Sequence, residues 1–307
     1  MQPNYKPYNE RTPDSQYTDL LRLIMDKGRP MHTPFHQGIG ARQYLGARLE
    51  YDLENGFPFM PHRNVKGAFL PSLGEIVAFM NGARDQKTLV DFGCEWWKDW
   101  VTDKKCADFG LPPGDLGDGS YGVALHDYPS PDGPFNQIRA LIEQMRDFPT
   151  ARTHVLTTWV PRYDLGSESS PRKVVVAPCH GTVVKFELNP GTKELDVVHV
   201  QRSGDVPVGV IFNFAHYTAL GMMFAQVLGY RMRKLVHLIL DAHIYENQIQ
   251  DPVTGVRYVD EVLKRELRPF PTVTLDESVT DIFAFRPEHF TLTDYNPHPA
   301  LRIPTPI

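Results

Sequence analysis

The chain has 307 residues, 41% of them hydrophobic and 22% charged, which excludes wholesale disorder and is enough to bury a sizeable core. Thirty-two Lys and Arg against thirty-seven Asp and Glu leave a formal net charge of −5, so the basic surplus of a general nucleic-acid binder is missing, although a local anion pocket is not excluded. The three cysteines, Cys94, Cys106 and Cys179, are too few and too odd in number for a disulfide framework and fit a reducing compartment.

Residues 1–15 are polar and proline-punctuated and read as a loosely held N-terminal arm, without the apolar core of a signal peptide. After Ser15, the spacing of Leu20, Leu21 and Ile24 predicts a helix that Gly28 can close. Residues 29–43 carry Gly38 and Gly40 without helical period and read as a loop, followed by a strand over 44–53 and a turn at Asn55-Gly56. Leu70, Leu73, Ile76, Val77 and Met80 predict a second helix ending near Gly82, and Ile138, Leu141, Ile142 and Met145 a third over 134–146. Beyond residue 150 the period becomes two: strands are predicted around Val155 to Trp159, in 173–188, in 195–201 and in 235–245. The apolar stretch 212–230 is too long for a strand and reads as a buried helix. Broken by His216, Gly221 and Gln226, it falls short of a bilayer span of roughly 20 apolar residues. The expectation is an α+β protein with a large mixed sheet, one domain over 1–307, soluble and cytoplasmic, contacting neither nucleic acid nor membrane.

Cys179 stands in Ala177-Pro178-Cys179-His180 and interrupts a strand-like run. A buried thiol is ordinarily a small hydrophobe, but a proline there demands a bulge or edge, which can re-aim a side chain into a cavity. A nucleophilic thiolate also needs nearby positive charge, which Arg202 at the end of the neighbouring strand can supply. Asp241, His243 and Tyr245 are spaced by two and share a face. They read as a hydroxyl-binding row, as a metal site with His180, or as solvated strand ends; with tyrosine in third place the metal is disfavoured. Asn213 opens the buried helix, either as a cap or as a donor–acceptor pair for a heterocycle edge. Glu75, beside an apolar stripe, costs several kcal/mol if buried unpaired, so it faces solvent or works. Trp96, Trp97 and Trp100 form an aromatic knot, and His36-Gln-Gly38-Ile-Gly40 resembles a phosphate cradle without the features of a P-loop.

In order along the chain, these segments resemble the thymidylate synthase family, which includes the pyrimidine-nucleotide hydroxymethylases. Glu75 opens Glu-Ile-Val-Ala-Phe-Met-Asn-Gly, similar to the family's Glu-Leu-Leu-Trp-Phe-Leu-x-Gly. Trp97-Lys98-Asp99-Trp100 resembles Trp-Asp-Glu-Trp, and Leu116-Gly117 to Tyr121-Gly122 resembles Leu-Gly-Pro-x-Tyr-Gly with one extra residue. Pro178-Cys179-His180, Gln201-Arg202-Ser203-x-Asp205, Phe212-Asn213-x-Ala215-x-Tyr217, Asp241-x-His243-Ile-Tyr245-x-Asn247 and the tail from Tyr295 to Ile307 match as well. The resemblance implies a large mixed sheet flanked by helices, a homodimer through the sheet, and deoxyuridine monophosphate and methylenetetrahydrofolate as substrates, with no metal and no separate nicotinamide.

It also implies roles. Cys179 attacks C6 of the pyrimidine. Arg202, with Ser203 in the same motif, lies by the sulfur and the phosphate. Asn213 reads the base, Glu75 and His180 order the water that moves protons at O4, and Tyr121 assists removal of the C5 proton. Trp97, Asp205 and Ile307 hold the folate, His243 and Tyr245 the sugar hydroxyl, and Arg152 reaches the partner's phosphate site. Four departures surround the substrates: His36 and Thr153 stand where the family has phosphate-binding arginines, Lys98 replaces an acid, and His216 replaces a small polar residue. The first expectation is thymidylate formation. The alternatives are a hydroxymethylase acting on the uracil or cytosine nucleotide, a non-catalytic nucleotide-binding relative, and last a metal-dependent hydrolase.

Overall fold

The computed structural model describes residues 1–32 and 38–306; His36 and Ile307 lie outside the described residues. Period-two burial along β4 (Val183–Asn189), β5 (Glu194–Gln201) and β7 (Arg231–Tyr245) marks strands with one face against a core. With β1 (Arg29–Met31), β2 (Ala41–Asp52), β3 (Val155–Leu156) and the short β6 (Gly204–Asp205), they build a seven-stranded sheet among the described residues. Its order is β1-β2-β7-β5-β4-β3, with β6 beside β7. β5 and β6 run parallel to β7 and the remaining pairs are antiparallel, so the sheet is mixed. A separate hairpin-like pair joins β8 (Thr272–Leu275) to β9 (Phe290–Thr293).

The helices are α1 (Gln16–Lys27), α2 (Phe69–Met80), α3 (Gln86–Asp91), α4 (Asp103–Asp108), α5 (Tyr121–His126) and α6 (Gln137–Asp147). They continue with α7 (Pro161–Asp164), α8 (Gly209–Leu228), α9 (Glu246–Ile249) and α10 (Tyr258–Leu263). Two parallel neighbours require a crossover, and α8 supplies it between β5 and β7. That position explains its composition: it is apolar on every side because it packs on the sheet and beneath α2. By length and hydropathy alone α8 is able to span a membrane, but 83% of its apolar window is buried inside the protein, the mark of a core helix. The α+β architecture with a large mixed sheet flanked by helices is the one expected.

Several local readings need correction. The arm at 1–15 is tied down rather than loose. Gln2 and Leu275 exchange two hydrogen bonds, the Tyr5 hydroxyl donates to the Val273 carbonyl, and the buried Arg11 donates to the Phe270 carbonyl and Thr272 Oγ1. Gln2, Tyr5 and Arg11 serve the β8 edge, while Asn4, Lys6, Asn9, Glu10 and Thr12 face water. Residues 29–31 and 41–43, read as loop, belong to β1 and the start of β2, because strand pairing supplies what local propensity does not show. The predicted strand 173–188 is extended only from Val183, since Pro178 removes a ladder donor and the chain stays irregular up to it. Asn213 does not open α8; it is the fifth residue of a helix that starts at Gly209, so it has no capping role.

Candidate active site

The site grows from the irregular segment that ends at β4. Freed from the ladder by Pro178, the Cys179 backbone N–H donates to the Tyr121 hydroxyl at 2.7 Å, and that hydroxyl points back to Cys179 Sγ at 3.3 Å. The Cys179 carbonyl accepts from the Arg202 and Ser203 amides at 2.8 and 3.2 Å. Arg202 then folds over the same segment, its Nε donating to the Pro178 carbonyl at 3.1 Å and Nη2 to Ala177 at 3.2 Å. Burial pushes the Cys179 thiol up, while the Tyr121 hydroxyl and the Arg202 charge oppose that rise. The thiol is therefore held protonated but beside the two groups that stabilise its anion.

Glu75 lies on α2 with 7% of its surface exposed. Two indole N–H groups meet its carboxylate, Trp96 at 2.7 Å and Trp97 at 3.1 Å. Burial still outweighs them and raises the carboxyl to about 7, the range of a group that exchanges protons at neutral pH. The family resemblance gives a role to Trp97, yet Trp96 makes the shorter contact. Tyr121, at the first residue of α5, stacks between Phe79 and His180, with ring centroids 4.7 and 4.3 Å away. His180 pairs through Nδ1 with the Tyr217 hydroxyl at 2.8 Å, and burial keeps it neutral. These contacts join Cys179, Tyr121, His180, Arg202 and, through Phe79 and Trp97, Glu75 into one cluster.

At the end of the parallel strands a second group forms. β6 places Asp205 level with His243 on β7. His243 Nδ1 sits 3.4 Å from Asp241, whose other oxygen accepts from Ser203 Oγ at 2.7 Å. That neighbouring carboxylate overcomes desolvation and raises the imidazole's pKa. The rings of His243 and Tyr245 lie 5.0 Å apart on the expected shared face. His180 is turned to Tyr217 while Asp241 and His243 pair with each other, and among the described residues no three His, Cys, Asp or Glu side chains group as ligands.

Asp205 is half-buried, and desolvation raises its carboxyl. It accepts from the Val208 amide and from Gln248 Nε2 at 2.9 Å, and the same Gln248 nitrogen reaches the Pro304 carbonyl at 3.0 Å. Arg63 also holds the tail, donating to the Leu301 and Pro207 carbonyls. The C-terminal segment thus lies closed against Asp205. Gln248 and Arg63 escaped the sequence reading because neither stands in a motif.

Asn213 Oδ1 accepts from Gln201 Nε2 at 2.8 Å, and Nδ2 faces His216 Nδ1 at 3.5 Å. Arg152 is exposed in the turn before β3, and none of the hydrogen bonds that build the site involves it. His36 and Ile307, expected at the phosphate and the folate, lie outside the described residues. Two further polar residues within the core, His199 and His237, also went unread; the available signal is a histidine at an inward position of an apolar strand. A thiol beside a phenol and a guanidinium, a carboxyl titrating near neutrality and a fixed amide suit covalent addition to a flat heterocycle with proton exchange at its edge. A family model described as thymidylate synthase matches residues 15–307, which takes in every residue of this cluster, and the chain belongs to the thymidylate synthase family.

Proposed function

We propose that the protein methylates deoxyuridine monophosphate at C5, using methylenetetrahydrofolate as one-carbon donor and reductant and releasing thymidylate and dihydrofolate. The observation that carries this reading is the Tyr121 hydroxyl 3.3 Å from Cys179 Sγ, with Arg202 over the same segment. Cys179 Sγ bonds to C6 of the uracil ring as its proton leaves, and the electron pair of the C5–C6 double bond makes C5 the nucleophile. Arg202 and Ser203 lie by the phosphate, to which a partner subunit adds Arg152; His36 stands where an arginine would complete that site. Asn213 faces O4 and N3–H. Glu75 and His180 move protons at O4, and Tyr121 assists loss of the C5 proton before the sulfur departs. His243 and Tyr245 hold the sugar hydroxyl.

The folate, when bound, supplies the methylene carbon and the hydride. Asp205, with its half-buried carboxylate, and Trp97, with an indole face, are suited to its heterocycle, and the family resemblance assigns Ile307 to the same co-substrate. Arg63 and Gln248 donate to the Leu301 and Pro304 carbonyls, and a tail held there supports the methyl product, because a cover over the site would keep out the water that otherwise gives a hydroxymethyl group. The 307 residues act as one domain in a homodimer formed through the sheet.

The test is to incubate the protein with deoxyuridine monophosphate and methylenetetrahydrofolate and weigh the nucleotide by mass spectrometry. A methyl-sized gain with dihydrofolate is expected. A hydroxymethyl-sized gain with tetrahydrofolate would replace this reading by the hydroxymethylase one, and nucleotide binding without product would make the protein a binder. Cys179→Ser should abolish turnover while leaving nucleotide affinity and folding intact; substantial residual turnover would remove Cys179 as nucleophile.

A further inference from the structure

Behind Asn213 runs a row of buried polar side chains that the chemistry above does not use. The Gly181 amide donates to His199 Nε2 at 2.8 Å. His199 Nδ1 meets His237 Nδ1 at 3.3 Å, and His237 Nε2 meets Gln201 Oε1 at 2.9 Å. Gln201 Nε2 donates to Asn213 Oδ1, and Asn213 Nδ2 ends the row at His216 Nδ1. Both strand histidines are fully buried. Burial among other imidazoles holds His199 far below its ordinary value and puts His237 and His216 near 3, so all three rings are neutral.

A neutral imidazole has one donor and one acceptor, and that fixes the direction of the whole row. A backbone N–H can only donate, so His199 Nε2 is an acceptor and its proton sits on Nδ1. His237 must then accept on Nδ1 and carry its proton on Nε2, which donates to Gln201 Oε1. The far end gives the same answer independently: Gln201 Nε2 also donates to the Ser203 carbonyl at 2.9 Å, and a carbonyl can only accept. Two backbone groups therefore demand one polarity, which settles amide and tautomer orientations that side chains alone would leave open. The tight seat of Gly181 belongs to the device: its φ is +68°, and an added Cβ would lie 2.4 Å from the Tyr217 hydroxyl. Tyr217 stacks on His199 with ring centroids 3.5 Å apart and holds that ring in plane.

We propose that His199 and His237 are positioning residues that lock Asn213 with its carbonyl toward Gln201 and its amide nitrogen toward His216, and so set the protein's preference for a uracil over a cytosine base. In this orientation Asn213 keeps one acceptor lone pair and one N–H to spare, the complement of N3–H and O4 of uracil. Cytosine offers an unprotonated N3 and an amino group, and meets the wrong partner at both positions. The proposal rests on Asn213 as base reader in the function proposed above.

The test measures deoxyuridine and deoxycytidine monophosphate binding by calorimetry for the wild type, His199→Leu and His199→Asn. His199→Leu removes the donor that fixes His237, and the uracil-to-cytosine affinity ratio is expected to fall about ten- to a hundredfold. His199→Asn, whose amide N–H occupies the place of Nδ1–H, should restore most of the ratio. A merely structural role would weaken both nucleotides alike. An unchanged ratio in a folded His199→Leu, or no rescue by Asn, overturns the proposal. Should His199→Leu fail to fold, ¹⁵N imidazole spectra of the wild type decide: protons on Nδ1 of His199 and Nε2 of His237 are required, and the opposite tautomer at His237 refutes the row. Wild-type protein that binds neither nucleotide would sink the proposed function, and the spectra would still judge the row by itself.

Discussion

Glu75 shows what burying one carboxyl does to stability. Its carboxyl has an ordinary value of 4.5 and is raised to about 7 by burial, against two indole donors. Between those values the folded protein binds the proton and the unfolded chain does not, so stability falls as pH rises from about 4.5 to about 7 and stays low above it. The full separation is worth about 3 kcal/mol. Glu75→Gln keeps a partner for one indole and removes the charge. It should therefore raise Tm by several degrees at pH 8 and leave it nearly unchanged at pH 4.5, measured by calorimetry at both pH values. An equal shift at the two would mean that the carboxylate is not desolvated. The same variant should lose about 10²- to 10⁴-fold in kcat, since the group that exchanges protons is gone. The residue types of this site were legible in the sequence because few chemistries need an acid on an apolar helix face or a cysteine after a proline. What could not be read was pairing: that Trp96 rather than Trp97 makes the shorter contact, or that two inward histidines stand behind Asn213. Such pairs depend on strand register, and a single sequence does not show which residues lie opposite one another.

At the scale of elements, helix α5 is only six residues long and too short to hold itself, yet it carries Tyr121. It packs on α2 and on the segment that follows α2, where Gly122 lies against backbone: a Cβ there would lie 2.0 Å from the Ala83 carbonyl oxygen. Backbone cannot turn aside as a side chain can, so Gly122→Ala must push α5 off the Ala83 backbone and carry the Tyr121 hydroxyl with it. The expected cost is about 1–3 kcal/mol of stability, with a loss of kcat larger than the change in nucleotide affinity. Denaturant unfolding and steady-state kinetics check the two halves, and unaltered kinetics in a destabilised variant would separate Tyr121 from the chemistry. This explains why α1, α2, α6 and α8 were readable from apolar spacing while α3, α4 and α5 were not. Long helices announce the face they bury, whereas one-turn helices are dictated by neighbours. The same holds for 29–31 and 41–43, where pairing along β2 overrides glycine-rich local sequence.

For the whole molecule the informative feature is the sheet's second face. One face lies on α8 and the core; on the other, Val200 stands opposite both Val183 and Leu238, and Val198 opposite Val236. Val155, Val183 and Leu240 remain 41%, 37% and 50% exposed. Strands apolar on both faces are usually covered on both, and among the described residues α8 packs on β5 and β7 at the buried one. In the proposed homodimer a second copy packed face to face would supply that cover, and the exposed Arg152 would be free to reach the phosphate bound by its partner. Leu240→Glu puts a charge in the middle of that face. Sedimentation equilibrium should show a dimer for the wild type and a monomer for the variant, and turnover should vanish with the dimer if, as proposed, each phosphate site takes Arg152 from its partner. Raising the variant's concentration until dimer returns should restore turnover in proportion. A fully active monomer would mean that this chain completes its phosphate site alone, and the apolar face would then need some other cover.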